Sequence, residues 1–294
     1  MLQKIFATED SRLLVGIGDD AAVIRTSGQS VITSDVAVED VHFKTQWSSA
    51  FDIGRKITAA NIADVLSMGG RCEFLTAAVT LTGEESLTWI EQLAHGIKHE
   101  ADLAGALIVG GDIARGSKIF ISMTAVGNAQ APILRSGAHV GDGLFISSLT
   151  GWSAAGLELL TRQISINSEY AEKALAEFSA PTLDYTTDFS RATAMADVSD
   201  SLLIQSEQIA AASAIHIEID QKAFTQSEEF SAIEKLAHEL DVDPFQWILG
   251  GGEDHVLLAT GVDLPGIRIG SVSEGEGISG VDRKMAPVSW SHFQ

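Results

Sequence analysis

Apolar residues recur along this chain with two different periods, and the switching between them predicts a mixed fold. Residues 21–24 and 30–38 read as extended, while 51–68 repeats its apolar side chains at helical spacing. A strand over 74–81, a helix over 84–104 and strands over 106–109 and 119–126 follow. The turn-rich segment 132–143 marks the expected boundary. Beyond it the pattern predicts strands over 144–147, 214–219 and 255–260, and helices over 153–162, 185–196, 202–213 and 227–240. The sum is an α/β or α+β protein in two parts of similar size, divided as 1–135 and 136–294.

Composition narrows the chemistry. The 294 residues are 45% hydrophobic, enough for real cores, and 27 glycines against 5 prolines point to tight turns rather than disorder. The formal charge of -21, from 40 acidic and 19 basic residues, argues against nucleic acid or an anionic membrane as partner. It leaves room for a small anion delivered with a divalent cation. One cysteine, Cys72, rules out an intrachain disulfide or a cysteine-rich zinc site. The N-terminal stretch lacks a signal-peptide core, and no run nears the ~18 apolar residues of a membrane span. The expected compartment is a reduced cytoplasm.

Several acidic residues sit in unusual company. They occur as Gly18-Asp19-Asp20-Ala21-Ala22, Thr33-Ser34-Asp35, Asn61-Ile62-Ala63-Asp64, Gly110-Gly111-Asp112, Asp197-Val198-Ser199-Asp200 and Gly251-Gly252-Glu253-Asp254. Carboxylates beside glycines or in apolar stretches are costly unless compensated. Hard divalent cations take oxygen ligands, which points to chemistry on phosphates.

Each motif also has an ordinary explanation. Ile57, Asn61, Asp64 and Met68 share one face of a helix expected to be buried nearly all round, where an Asp is a ligand or a hydrogen-bonded structural group. Gly110-Gly111-Asp112 follows an apolar run and reads as a glycine turn ending a strand. Ser199 or Asp200 is placed to cap the helix beginning at Leu202, and a helix N-terminus also binds phosphate. Arg135 suits a triphosphate or a surface ion pair, and His42 a half-buried structural role more often than a ligand's. No P-loop, dinucleotide fingerprint, serine elbow or zinc-protease helix stands in its required context.

In order and wording the motifs resemble the thiamine-monophosphate kinase family, from Gly16 to Phe293. The resemblance includes Val38-Glu39-Asp40-Val41-His42-Phe43, Arg135-Ser136-Gly137-Ala138 through Gly141-Asp142, and the tail Trp290-Ser291-His292-Phe293. It implies the two-domain fold shared with aminoimidazole ribonucleotide synthetase. In that fold an N-terminal domain forms the dimer sheet or barrel, joining a homodimer, and a C-terminal α/β domain follows. It implies ATP-dependent phosphorylation of thiamine monophosphate to thiamine diphosphate with several Mg²⁺ ions. Carried over motif by motif, it makes Asp20, Thr33, Ser34, Asp35, Asp64, Asp112, Asp197 and Asp200 metal ligands, with Asp64, Asp112, Asp197 and Asp200 catalytic. It assigns Gly111, Asp112, Arg135 and Ser199 to ATP, and His42, Glu253 and Trp290 to the thiamine phosphate.

The chain departs from the family pattern at several points. Ser201 replaces a glycine, the tyrosine expected before Gly110-Gly111 is missing, and His255-Val256 stands where Tyr-Glu is usual. Ala180-Pro181-Thr182 is what remains of a longer Pro- and Arg-bearing segment. A non-catalytic or different-substrate paralogue is the alternative these departures keep open. Selenophosphate synthetase chemistry would need a Cys or Sec before Cys72, and a hydrogenase-maturation relative a C-terminal cysteine where the chain has Gln294.

Overall fold

The computed structural model describes residues 1–6, 8–15 and 21–282. They divide into two compact units, one of residues 1–66 with 70–132, the other of 67–69 with the described residues from 133 on.

The first unit opens with a short helix, α1 (Leu2–Ile5), and a small hairpin of β1 (Leu13–Val15) and β2 (Val23–Ile24). β3 (Gln29–Val38), α2 (Ala50–Ser67), β4 (Arg71–Leu81), α3 (Leu87–Ala104), β5 (Leu107–Arg115) and β6 (Phe120–Ala129) complete it. Four strands form a sheet in the order β3-β6-β4-β5, with only the β4–β5 pair parallel. That pair needs a crossover, which α3 supplies, starting at the Ser86 cap on the Trp89 N–H and ending at Gly105 in the left-handed region. α2 has no exposed residue between 50 and 67, in keeping with its apolar flanks. Ile53, Ile62 and Ala63 of α2 are fully buried, as are Phe74, Leu75, Ile121 and Met123 of β4 and β6. Burial of each large aliphatic side chain stabilises by about 1.5–3 kcal/mol.

The second unit contains a short 3-10 turn (Arg135–Gly137), β7 (Gly143–Ile146), α4 (Trp152–Thr161), α5 (Glu169–Ser179), β8 (Ala194–Asp197) and α6 (Leu202–Ser213). β9 (His216–Ile219), α7 (Gln221–Phe224), α8 (Glu228–Leu240), α9 (Pro244–Gly250), β10 (Leu257–Gly261), β11 (Ile267–Ser273) and β12 (Gly277–Ser279) follow. Its sheet runs β12-β9-β11-β7-β10-β8, antiparallel except for β12–β9. Leu144, Ile146, Ile217, Leu258 and Ile269 of that sheet share one core with Leu202, Ile209, Ile233, Leu236 and Ile248 of the helices.

The expected mixed architecture is what forms, with three local corrections. The strand expected over 106–109 does not stop at the glycines: after a bulge at Val109, β5 runs through Gly110, Gly111 and Asp112 to Arg115, paired with β4. Gly111 is needed there for close approach, since a Cβ would lie 2.2 Å from the Ala77 carbonyl oxygen. The helix expected over 185–196 is absent. Asp184 instead accepts the N–H groups of Thr186 and Thr187, and Asp188 that of Ser190, before β8 begins. Such side-chain bonds to neighbouring amides compete with helix formation. Finally, α6 is capped by Ser201, whose Oγ accepts the Ile204 N–H at 3.1 Å, and not by Ser199 or Asp200. Among the described residues no helix is long and apolar enough to cross a membrane.

Candidate active site

In the first unit the candidate residues lie on β3, α2 and β5. Successive strand residues face opposite sides of a sheet, so Thr33 and Asp35 share the side of the buried Met123 and Ala125 with which they pair. Thr33 Oγ1 donates to Asp64 Oδ2 of α2 at 2.5 Å, and the Asp35 N–H donates to Asn61 Oδ1 at 3.2 Å. Asn61, wholly buried, returns its Nδ2–H to the Ile57 carbonyl at 2.8 Å. Asn61 thus meets an amide of β3, an edge strand among the described residues, on the side away from β6. Asp64 and Thr33 are brought together as a pair, with Asp35 on the same side of the sheet.

Ser34 faces the other way, donating to the Met123 carbonyl at 2.9 Å and lying 3.2 Å from Thr124 Oγ1. The register sets Asp112 in the row of Ala78, Ser122 and Val36, which also places it on this second face. Asp112 is exposed, and its Oδ1 accepts the Ile113 N–H at 2.9 Å. Beside Gly110–Asp112, an apolar cavity of about 220 Å³ is lined by Leu2, Phe6, Val79, Ile90, Ala94 and Ile97, among others. His42 is half-buried, and its Nδ1 accepts the Val38 N–H at 3.1 Å, which leaves the proton of the neutral ring on Nε2.

In the second unit, three connections meet at one end of the six-stranded sheet: β7 to α4, β8 to α6, and α9 to β10. Leu257 pairs with Asp197, the Ser147 N–H donates to the Leu257 carbonyl, and the Val198 N–H donates to Val256. Glu253 N–H donates to Ser199 O at 2.7 Å and His255 N–H to Val198 O at 3.0 Å. Gly252 lets the two loops touch, because a Cβ would lie 2.4 Å from the Asp200 carbonyl oxygen.

Asp197 is buried, and its Oδ2 accepts from Nδ1 of the buried His255 at 3.0 Å. Asp200 is exposed and Ser199 half-buried, its Oγ accepting from Gln205 Nε2 at 3.3 Å. Arg135 presents its guanidinium to solvent while its carbonyl accepts from Ser213 Oγ at 2.8 Å. Glu253 and His255 both adopt the left-handed region, with φ of 62 and 52. Asp20 and Trp290 lie outside the described residues, as does Asp19.

Sequence reasoning did not reach two of these arrangements. The Asp197–His255 pair joins residues 58 apart, and neither residue's neighbours announce it. Asp254 is a helix cap: its Oδ2 accepts the Gly151 N–H at 2.7 Å and its Oδ1 the Ser153 N–H at 2.9 Å. The available hint was Gly151 ahead of α4, a start with no side chain to cap itself.

Comparison with known proteins places these residues in context. Residues 18–129 match the family described as AIR synthase related protein, N-terminal domain. Thiamine-monophosphate kinase of Mycobacterium tuberculosis (strain ATCC 25618 / H37Rv) is 35% identical over 254 residues, 85% of this chain and 76% of that protein. The crystal structure of thiamine-monophosphate kinase from Stenotrophomonas maltophilia K279a aligns with a TM-score of 0.82 at 31% identity, over 92% of this chain and 91% of that one. A structure of AaThiL complexed with AMPPCP and TMP aligns with a TM-score of 0.81 at 30% identity, over 94% and 92% of the two chains.

Burial pushes the Asp254 carboxyl up from the ordinary 3.8 to about 6, against the two backbone hydrogen bonds that hold it down. Its folded value lies above its unfolded one, so the native state binds the proton more tightly between these values. The stability this group contributes is therefore full below pH ~4 and falls as pH rises through ~6, by about 3 kcal/mol in all. Asp254→Asn should remove that dependence. Urea unfolding of both proteins between pH ~4 and ~7 checks it: the wild type should lose stability relative to the variant on going up, and parallel curves would contradict it.

Proposed function

The chain belongs to the thiamine-monophosphate kinase family, and we infer that it transfers the terminal phosphoryl group of ATP to the phosphate of thiamine monophosphate, yielding thiamine diphosphate and ADP. The likeness to kinases of this name over most of the chain carries the reading, above all the likeness to the relative solved with AMPPCP and TMP. The acceptor is a phosphate oxygen already anionic near neutral pH, so the protein need supply no general base. Its task is to align acceptor and γ-phosphorus and to offset their charge.

Bound Mg²⁺ supplies the neutralisation of phosphate charge that such a transfer needs. Among the described residues no three His, Cys, Asp or Glu side chains gather to hold a metal ion. Mg²⁺ at phosphate sites, however, is held by one or two carboxylates with water and phosphate completing the shell. The hydroxyl and carboxylate of Thr33 and Asp64, 2.5 Å apart, are hard oxygen donors of that kind. We assign Asp20, Thr33, Asp35 and Asp64 to cation binding. Ser34 and Asp112 lie on the other face of the sheet at its two opposite edges, on β3 and β5, so within one copy of the chain they would serve separate ions, which accords with more than one Mg²⁺. In the second unit Asp197 and Asp200 take the same role, with His255 holding Asp197 in place.

Gly111 and Asp112 are assigned to the nucleotide, and the apolar cavity beside them suits its base. Arg135, with its guanidinium in solvent, and Ser199 are assigned to nucleotide phosphates. His42, Glu253 and Trp290 are assigned to the thiamine phosphate. In this reading residues 1–135 form the ATP- and metal-binding and dimerisation domain, and 136–294 the C-terminal α/β domain. A second copy of the chain covers the outer face of the four-stranded sheet, where Ile32 and Val36 are exposed. Cys72, buried with its thiol pushed up to about 12 by desolvation, suits a reduced cytoplasm.

Three outcomes test these assignments. Asp64→Asn keeps an acceptor for the Thr33 hydroxyl, so the fold should persist by circular dichroism while kcat for thiamine diphosphate formation falls about a hundredfold or more; near-normal kcat would remove Asp64 from the machinery. Ala94→Leu fills the cavity and should raise KM for ATP about tenfold without lowering Tm; an unchanged KM would place the base elsewhere. Ile32→Glu should turn the dimer to monomer in sedimentation equilibrium, and a wild-type monomer would dismiss the dimer.

A further inference from the structure

α4 begins at Trp152 behind Gly151, a residue with φ of 103 and no side chain to cap the helix. The first-turn amides of a helix need acceptors from elsewhere, and a carboxylate is favoured there by the helix dipole. Asp254 provides both oxygens, one to Gly151 N–H and one to Ser153 N–H, across about a hundred residues of sequence. It is 6% exposed, so these bonds replace water almost completely.

Asp254 also stands between two strained residues. Glu253 and His255 occupy the left-handed region, with φ of 62 and 52, which residues other than glycine rarely adopt. Such conformations persist only where the surroundings over-determine them. The backbone amides on either side are fixed by Ser199 O and Val198 O, but those two bonds tie the loop only to the β8–α6 connection. Asp254 ties the same loop to the start of α4 by two further bonds. The direction in which the Glu253 side chain leaves the loop depends on both anchors.

We propose that Asp254 is a positioning residue for the phosphoryl acceptor: by clamping α4 through Gly151 and Ser153 it holds the strained Glu253–His255 backbone and so aims Glu253 at the thiamine phosphate. The role rests on the assignment of Glu253 to the acceptor. A carboxamide at 254 offers one acceptor oxygen and turns an NH₂ toward a second amide donor, so it releases one of the two bonds.

The test compares Asp254→Asn, Glu253→Ala and the double variant. Asp254→Asn should raise KM for thiamine monophosphate at least about tenfold and leave KM for ATP within about twofold. In the Glu253→Ala background it should add little, since both changes act through one contact. Ser227→Ala, which removes the α8 cap on the Phe230 N–H, serves as a control for lost stability and should leave both KM values unchanged. A second readout needs no variant: amide exchange at Gly151 and Ser153 of the wild type should slow when thiamine monophosphate binds. Wild-type KM values in Asp254→Asn, additive effects in the double variant, or exchange indifferent to thiamine monophosphate would each overturn the role. Should Asp254→Asn not fold, the exchange measurement decides alone. A wild type that neither binds nor phosphorylates thiamine monophosphate would instead overturn the functional reading beneath it.

Discussion

The clamp of Asp254 on the first amides of α4 is the interaction that holds together the acidic end of the second unit. Three connections meet there, and each needs something the others provide. α4 starts without a cap of its own, the Gly251–His255 loop carries two left-handed residues, and the Asp197–Ser201 loop has carbonyls to satisfy. One buried carboxylate meets the first need, and the loop amides of Glu253 and His255 meet the third. Gly252 makes the meeting sterically possible, since any side chain there would collide with backbone. The Gly-Gly-Glu-Asp sequence is thus a packing device before it is a chemical one.

The first unit depends on a comparable economy at its edge strand. Among the described residues β3 has a sheet neighbour on one side only, and its outward amide at Asp35 would be left unmet against the buried helix α2. Asn61 meets it from a position where no water reaches, and Thr33 pairs with Asp64 one turn further on. The same pleat that sends Thr33 and Asp35 toward α2 sends Ser34 and Asp112 to the opposite face. Residues adjacent in the motif are therefore divided between two sides of the sheet.

Much of this was legible from the chain. The all-round burial of α2 follows from its apolar flanks, and the ordered motifs pointed to the family that the comparisons then showed. What escaped was governed by partners distant in sequence. The glycines of Gly110-Gly111-Asp112 read as a turn because glycine usually breaks strands; only the Ala77 carbonyl on β4 explains why they continue one. The helical reading of 185–196 ignored Asp184 and Asp188, whose carboxylates capture the next amides and prevent a helix. α5 and α9 went unnoticed although each carries a start signal, Ser168 before two glutamates in the first case and Asp243-Pro244 in the second. Ser201, a departure from the family pattern, turned out to be a cap in its own right.

The acidic residues also cease to be one class once their donors are known. Asp254 is committed to a helix terminus, Asp197 is paired with His255, and Asp64 is joined to a threonine hydroxyl, whereas Asp112 and Asp200 stand in solvent. A carboxylate with both oxygens engaged by backbone amides cannot turn toward a cation without uncapping its helix, so Asp254 belongs to the scaffold. A carboxylate with one engaged oxygen keeps the other for a ligand while its rotamer is already fixed, which is the state a phosphate-bridging ion exploits. Asp197, with its Oδ2 held by His255, is in that second state. In the proposed reading, a chain of formal charge -21 meets anionic substrates through a few oriented oxygens that would carry cations, not through a broad basic surface. Glu253 and Asp254, neighbours in one motif, fall on opposite sides of this division, the first toward the proposed acceptor and the second into the frame that aims it.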